Sequence, residues 1–386
     1  MRILQANVIY GSGSTGRIVE TLHHEYQALG HESFVLYGRG PKQDDPNVIR
    51  TGYLWEAKLW RAINMFTGNV YSGSPLSTIR LKRTIKKLRP DVVHIHCING
   101  NMCDIVSLLK WLKKERYKTV VTHHAKFLFT GGCGINTCQK FQTGCGGCPF
   151  KKEEFGPFAP DITKRVYRRF KVCFSDSFPS SHTFVSPWLR NQALVSGWFN
   201  PEKCAVVCNP VSFPTSCWTL EGVPTPYVLF PTSMRASLVK GTQWLKPLAD
   251  ALKSTGIKCV VTDAGVNDGN LIFVGHRPVE EMRALYSGAL ATVLLSSVES
   301  FGLPVVESLL CGTPVIGFKA GGPDSLLLPG STFVDYGDIE SIVSELEKIS
   351  LLRNTIQSEE LSRRFSPIEI AKRYESIYIE CIGKNL

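Results

Sequence analysis

The chain has 386 residues, 44 Lys+Arg against 33 Asp+Glu for a net charge of +11, and a composition that is 43% hydrophobic and 20% charged. That length asks for two domains, and that composition excludes disordered, collagenous and coiled-coil chains. The uncharged run from residue 204 to 220 holds Asn209, Pro210 and Pro214, so it is no membrane span. The opening MRILQANV reads as a strand, without the apolar run of a signal peptide, and a cytoplasmic protein is expected.

Short apolar runs alternate with helical patterns, as in an α/β fold with parallel sheets. Ile3 to Val8 reads as the first strand and Gly11 to Gly16 as a glycine-rich turn. Ile18, Leu22, Tyr26 and Leu29 follow at helical spacing, with Gly30 as the stop. Strands are expected at Ser33–Tyr37, Pro90–His96 and Thr119–Thr122. Just before Pro90, Ile79–Arg89 reads as a helix with six basic residues and no acid. A second set of strands is expected at Tyr227–Phe230, Lys258–Thr262, Leu271–Val274, Thr292–Leu295 and Pro314–Gly317. Ser366-Pro367-Ile368-Glu369 has the form of a capping box opening a final helix. The expected organisation is a Rossmann-like domain over 1–208, a Pro/Ser-rich linker over 209–226, a second such domain over 227–365, and a C-terminal helix over 366–386 able to pack back on the first domain. Two doubly wound parallel sheets would face each other across a cleft, with ligands beyond the strands' carboxyl ends.

Glu299-Ser300-Phe301-Gly302-Leu303-Pro304-Val305-Val306-Glu307 follows a strand and opens a helix near Pro304 that stops at Gly312. Amides of Phe301, Gly302 and Leu303 would sit at that helix's N-terminus, where a phosphate is favoured. Glu299 and Glu307 flank the cradle and can hold hydroxyls on either side. Arg235 and Lys240-Gly241 follow the Tyr227–Phe230 strand, where cations can neutralise a diphosphate leaving group.

On these residues the chain resembles the retaining, GT-B-fold glycosyltransferases of the Glu-x7-Glu type (family 4-like, group 1). Glu299 and Glu307 match the hallmark, and Gly312-Thr313-Pro314-Val315-Ile316, Gly321-Gly322, Arg235 and Lys240 extend it. The resemblance implies a GT-B fold and sugar transfer from a nucleotide-sugar donor. Arg235 and Lys240 would bind the donor diphosphate, Glu299 the donor sugar, and Glu307 the ribose. Phe301 to Leu303 would offer amides. No metal would be needed for transfer, because the two cations replace it.

Gly11-Ser12-Gly13-Ser14-Thr15-Gly16 is a literal G-x-G-x-x-G, which also raises a dinucleotide-binding dehydrogenase. The acid expected after the second strand is missing, and Arg39 stands there in a form that suits NADP. In the resembling family this loop lies over the reaction centre, so Gly13, Gly16 and Arg17 would contact acceptor or donor phosphate. His123-His124 ends a strand and points to the same place. The surrounding string resembles a subgroup from bacterial surface-polysaccharide synthesis, of the colanic-acid, exopolysaccharide or O-antigen kind. His124 matches a His that contacts the donor sugar there, while Ala125 replaces the usual Asp.

Thr130-Gly131-Gly132-Cys133 and Gly144-Cys145-Gly146-Gly147-Cys148-Pro149 match that subgroup. Cys133, Cys138, Cys145 and Cys148 are spaced C-x4-C-x6-C-x2-C, which suits a structural zinc. An Fe–S cluster, reduced thiols and a disulfide are the alternatives.

The charge is uneven. Residues 1–200 hold 28 Lys+Arg and 13 Asp+Glu, net +15, and residues 201–386 hold 16 and 20, net −4. A basic half attracts anions. Trp55, Leu59, Trp60, Ile63 and Phe66 form a helical stripe beside Lys58 and Arg61, which fits either a core or a bilayer interface. The expected partners are a nucleotide-sugar donor, a lipid-linked saccharide acceptor and an anionic membrane surface, with the enzyme peripheral on the inner face of the cytoplasmic membrane. Nucleic acid is not expected, for no reader module is present. A nucleotide-sugar epimerase or phosphorylase of the same fold is the alternative activity.

Overall fold

The computed structural model describes residues 1–134, 136–174, 178–211, 222–231 and 238–383. Residues 212–221 of the expected linker and the candidate site residue Arg235 lie outside them. Contacts divide the chain into two units: Met1–Pro210 with Pro367–Leu386, and Val211–Ser366. Both are α/β with one parallel sheet.

The sheet of the first unit is built from β1 (Arg2–Asn7), β2 (Glu32–Tyr37), β3 (Val48–Arg50), β4 (Val92–Ile95), β5 (Thr119–His123), β6 (Ser181–Phe184) and β7 (Cys204–Val206). Their order is β3-β2-β1-β4-β5-β6-β7, all parallel. Parallel neighbours need crossovers, which helices supply except between β2 and β3, where a loop does so. Both faces are then covered, so β1 is buried at every position from Ile3 to Asn7, including the polar Gln5 and Asn7. Leu4, Ala6, Leu36, Val93, Ile95 and Val121 pack on one face with Leu108, Leu109 and Leu112 of the helix Ile105–Lys114.

The final helix, Pro367–Ile382, packs against the helix Gly13–Ala28, β4 and β5. Its buried tyrosines are tied into that unit. The hydroxyls of Tyr26 and Tyr378 meet at 2.7 Å, and Tyr378 also meets His94 Nδ1 at 2.7 Å. Tyr374 reaches Thr122 at 3.1 Å.

The second sheet comprises β8 (Tyr227–Phe230), β9 (Lys258–Val261), β10 (Leu271–Phe273), β11 (Ala291–Leu294), β12 (Val315–Phe318) and β13 (Ser331–Val334). The order is β10-β9-β8-β11-β12-β13, again parallel. Val228, Phe230, Val261, Val293 and Ile316 form its core with Leu245 and Leu248.

In each sheet the strand order turns back once, between β1 and β4 and between β8 and β11. Loops leaving neighbouring strands in opposite directions open a crevice at that point. The loops after β1 and β4 lie there in the first unit, and those after β8 and β11 in the second. Among the described residues no helix is long and apolar enough to cross a membrane.

Candidate functional site

In the second unit, β11 ends at Leu294 and the chain runs through Ser296 and Glu299 into the helix Leu303–Leu310. Glu299 is fixed by its backbone. Its N–H donates to Ala320 O at 2.8 Å, and its own carbonyl accepts from Gly322 N at 3.0 Å. The turn after β12 is held in turn by Asp324, whose Oδ1 accepts the amides of Ala320 (2.9 Å) and Gly321 (2.6 Å). A Cβ at Gly322 would strike the Ser300 backbone at 2.3 Å, so the two loops can approach only with glycine there.

The Glu299 carboxylate accepts from Lys240 Nζ and from Ser296 Oγ (3.2 Å). Lys240 closes a short 3-10 turn, Leu238–Lys240, beyond β8. Ser297 N–H donates to Val239 O at 2.9 Å and binds that turn to the β11 loop. Gly241, at φ +79, sits where a Cβ would lie 1.9 Å from Leu295 O. The Lys240–Glu299 pair is partly open, the side chains being 31% and 14% exposed.

Phe301 is buried and meets the ring of Phe365 edge-on at 6.1 Å. Its side chain anchors the turn, which leaves its backbone as the part able to meet a ligand. Gly302 caps the helix in the left-handed conformation, and Pro304 stands in its first turn. Among the described residues, the amides of Phe301, Gly302 and Leu303 donate to no protein acceptor. Three unused donors at a helix N-terminus attract anionic oxygens. Glu307, one turn on, accepts from Tyr286 OH at 2.8 Å. Tyr286 is fully buried, so it fixes one carboxylate oxygen.

In the first unit, the helix Gly13–Ala28 begins with no side-chain cap and no acid in its first turn. Gly13 has φ +63 and Arg17 is exposed. Asn7, buried at the end of β1, braces the glycine loop by donating to Ile9 O at 2.8 Å, and accepts the Cys97 amide at 3.0 Å.

His124 follows β5 directly. His123 does not share its setting, contrary to the expectation that both point to the open end. It is buried, stacked on Phe184 at 4.6 Å and bonded to His182 at 3.0 Å. His124 Nε2 meets His96 Nδ1 at 3.1 Å, and His96 Nε2 meets Gln5 Oε1 at 3.2 Å. Burial pushes the His124 ring down to about 4 and holds His96 and His94 well below the ordinary histidine range. All three rings are therefore neutral near pH 7.

Cys133, Cys138, Cys145 and Cys148 line one small cavity of about 20 Å³ with Lys140, Phe141 and Thr163. Gly131 N–H donates to Cys145 Sγ at 3.2 Å. The buried Lys126 ammonium binds the carbonyls of Asn136 and Cys138. Burial raises the Cys145 thiol to about 12 and the Cys148 thiol to about 11. As the thiols stand, no group of three or more His, Cys, Asp or Glu among the described residues is arranged to hold a metal ion.

The exposed face of the first unit carries the aromatic stripe. On the helix Leu54–Thr67, Trp55 is 58%, Leu59 51% and Phe66 66% exposed. Phe66 stacks on the equally open Phe158 at 6.0 Å. Leu76 and Ile79, on the helix Pro75–Leu88, are also exposed, and Arg80 of that helix lies over Tyr53 at 5.2 Å. Trp55, Leu59 and Phe66 of the stripe are surface, while Trp60 and Ile63 are half-buried.

Gln5, His96, Tyr286, Ser296 and Asp324 join these sites without having been singled out in the sequence. The signal for two of them was present: Gln5 lies inside an apolar strand, and His94 and His96 share one face of PDVVHIH.

Residues 15–213 match the model of Glycosyltransferase Family 4, and residues 253–367 match that of the glycosyl transferases group 1. O-antigen chain mannosyltransferase B of Escherichia coli is 27% identical over 193 residues, 47% of this chain and 44% of that protein. Its matches cover less than half the length of the first curated relatives. The sucrose-phosphate synthase of Thermosynechococcus elongatus superposes with a TM-score of 0.67 at 16% identity, over 100% of both chains. The Anabaena protein HepE, in complex with UDP and glucose, does so with 0.61 at 15%, over 97% of this chain and 98% of that one. The chain belongs to Glycosyltransferase Family 4.

Proposed function

We propose that the protein moves a sugar from a nucleotide-sugar donor to a saccharide acceptor, with retention of the donor's anomeric configuration. The observation that carries this is the second unit's grouping of a bound cation, two oriented carboxylates and three unused amides around one turn. An incoming diphosphate competes with Glu299 for Lys240. The ammonium then neutralises the leaving group, and Glu299 is released to a sugar hydroxyl. Glu307, its carboxylate oriented by Tyr286, is assigned to the ribose by resemblance. Arg235 is assigned as the second cation by resemblance, and Gly13, Gly16 and Arg17 as the acceptor-side loop. Family membership and the UDP and glucose bound by HepE support the donor class.

We propose further that the acceptor is lipid-linked and belongs to surface-polysaccharide synthesis, the enzyme working on the inner face of the cytoplasmic membrane. Support comes from the kinship with an O-antigen mannosyltransferase and from the exposed stripe. Trp55, Leu59, Phe66, Phe158, Leu76 and Ile79 would enter the bilayer interface, while the exposed Lys58, Arg61, Arg80 and Arg83 meet anionic headgroups. Zinc at the four cysteines is proposed as a structural element only. The shared cavity and four sulfur donors favour it, and binding requires the loop to draw the sulfurs together. A thermal-shift panel of UDP-, GDP- and ADP-linked sugars tests the donor reading. One of them should raise the melting temperature of the native chain and not of Glu307→Ala; no response to any would refute it.

A further inference from the structure

Buried Gln5 and His96 and the half-buried His124 pass a single hydrogen-bond polarity through the first unit from a backbone carbonyl to the end of β5. The Val19 carbonyl can only accept, so Gln5 turns its amide nitrogen to it at 3.4 Å. Gln5 Oε1, itself only an acceptor, is thereby left facing His96 Nε2 at 3.2 Å. His96 Nε2 must carry a proton. His96 is neutral: it is fully buried, its ring lies 3.8 Å from that of His94, and no carboxylate bonds to it among the described residues. Its single proton being on Nε2, its Nδ1 is a bare lone pair. That lone pair stands 3.1 Å from His124 Nε2 and can only accept, so His124 Nε2 donates. A neutral His124 has one proton and has spent it inward.

We infer that His124 presents a bare Nδ1 lone pair as a fixed acceptor for a ligand hydroxyl, and that Gln5 and His96 are the positioning residues that set this tautomer. The tautomer stands on the hydrogen-bond network and on the neutrality of the two rings; naming the hydroxyl as one of a sugar rests on the transferase reading. A ring in this state receives a polyol O–H and has no proton to offer a phosphate oxygen.

Long-range nitrogen–proton correlation spectra of the full chain, labelled with ¹⁵N-histidine, test it. Resonances are assigned with His124→Gln and His96→Leu. Near pH 7.5, His124 Nε2 should have the shift of a protonated ring nitrogen and Nδ1 that of a bare one. A protonated Nδ1, or averaging between the two forms, would overturn the inference even if the protein proves to be a transferase. His96→Leu, if its melting shows a folded protein, should return His124 to a tautomer mixture; an unchanged His124 signature would equally count against it. His96→Asn, which keeps an acceptor near the lost Nδ1, should restore the single form. Should the tautomer be as stated while no nucleotide sugar binds, the transferase reading fails and the tautomer assignment stands.

Discussion

Lys240 and Glu299 hold each other at the crevice of the second sheet, one on the loop after β8 and the other on the loop after β11. Each keeps its partner oriented, and an anion bound at Lys240 must loosen the pair. Lys240→Ala should therefore lower kcat about 10²-fold, as removal of charge stabilisation at a leaving group does. Glu299→Gln should also impair transfer. The double variant should lose much less than the two single losses multiplied, since the residues share one contact. Steady-state kinetics on the four proteins measure this, and fully multiplicative losses would contradict the coupling.

Glu307 accepts from the buried Tyr286, which orients its carboxylate at the turn. Glu307→Ala should raise the Kd for the donor nucleotide about tenfold or more, the usual scale for a charged hydrogen bond. Tyr286→Phe should raise it only a few-fold. Calorimetric titration gives both values, and an equal loss in the two variants would mean that the carboxylate merely supports the fold.

The exposed stripe predicts sedimentation with vesicles containing anionic lipid, weakening as salt rises. Trp55→Ser with Phe66→Ser should remove the apolar contribution and Arg80→Glu the electrostatic one. Binding indifferent to lipid charge and to all three changes would refute the membrane surface.

Stability should fall with acid. His94, His96, His123 and His182 are held below the ordinary histidine range, and His124 is lowered from 6.5 to about 4, in each case first by burial. As pH drops below about 6.5 the unfolded chain takes up protons that the folded chain refuses. Each such histidine costs up to about 1.4 kcal/mol per pH unit until its folded value is reached. Urea midpoints at pH 7.5 and 5 should differ accordingly, with the lower at pH 5. Equal midpoints would mean that these rings accept protons in the folded state.

Zinc predicts about one metal per chain by inductively coupled plasma mass spectrometry. Cys145→Ser should lose it and open the 131–149 loop to limited proteolysis. Metal-free protein with the same protease pattern as the native chain would remove the proposal.

Much of this was legible in the sequence because the signals were local. ESFGLPVVE placed a turn, a helix start and two carboxylates within nine consecutive residues, and helix N-termini behave alike wherever they occur. Apolar runs such as VVHI and YVLF announced their strands. β3, β6, β7 and β13 stay hidden in the sequence because VIR, SHTF, CAV and STFV are too short or too polar to show a period. His123 and His124 look alike in the sequence because adjacency does not reveal that the first ends a buried strand and the second has left it. Gln5 and His96 meet across 91 positions, a relationship that only the sheet register creates.

The central claim is sugar transfer at the Lys240, Glu299 and Glu307 turn. Its most direct measurement incubates a radiolabelled nucleotide sugar, chosen by the thermal-shift panel, with bacterial lipid extract and either native enzyme or Glu307→Ala. The account predicts that native enzyme carries label into the lipid phase and that the variant does so far more slowly. Label released as free sugar with or without lipid, or moved equally by both proteins, would contradict it.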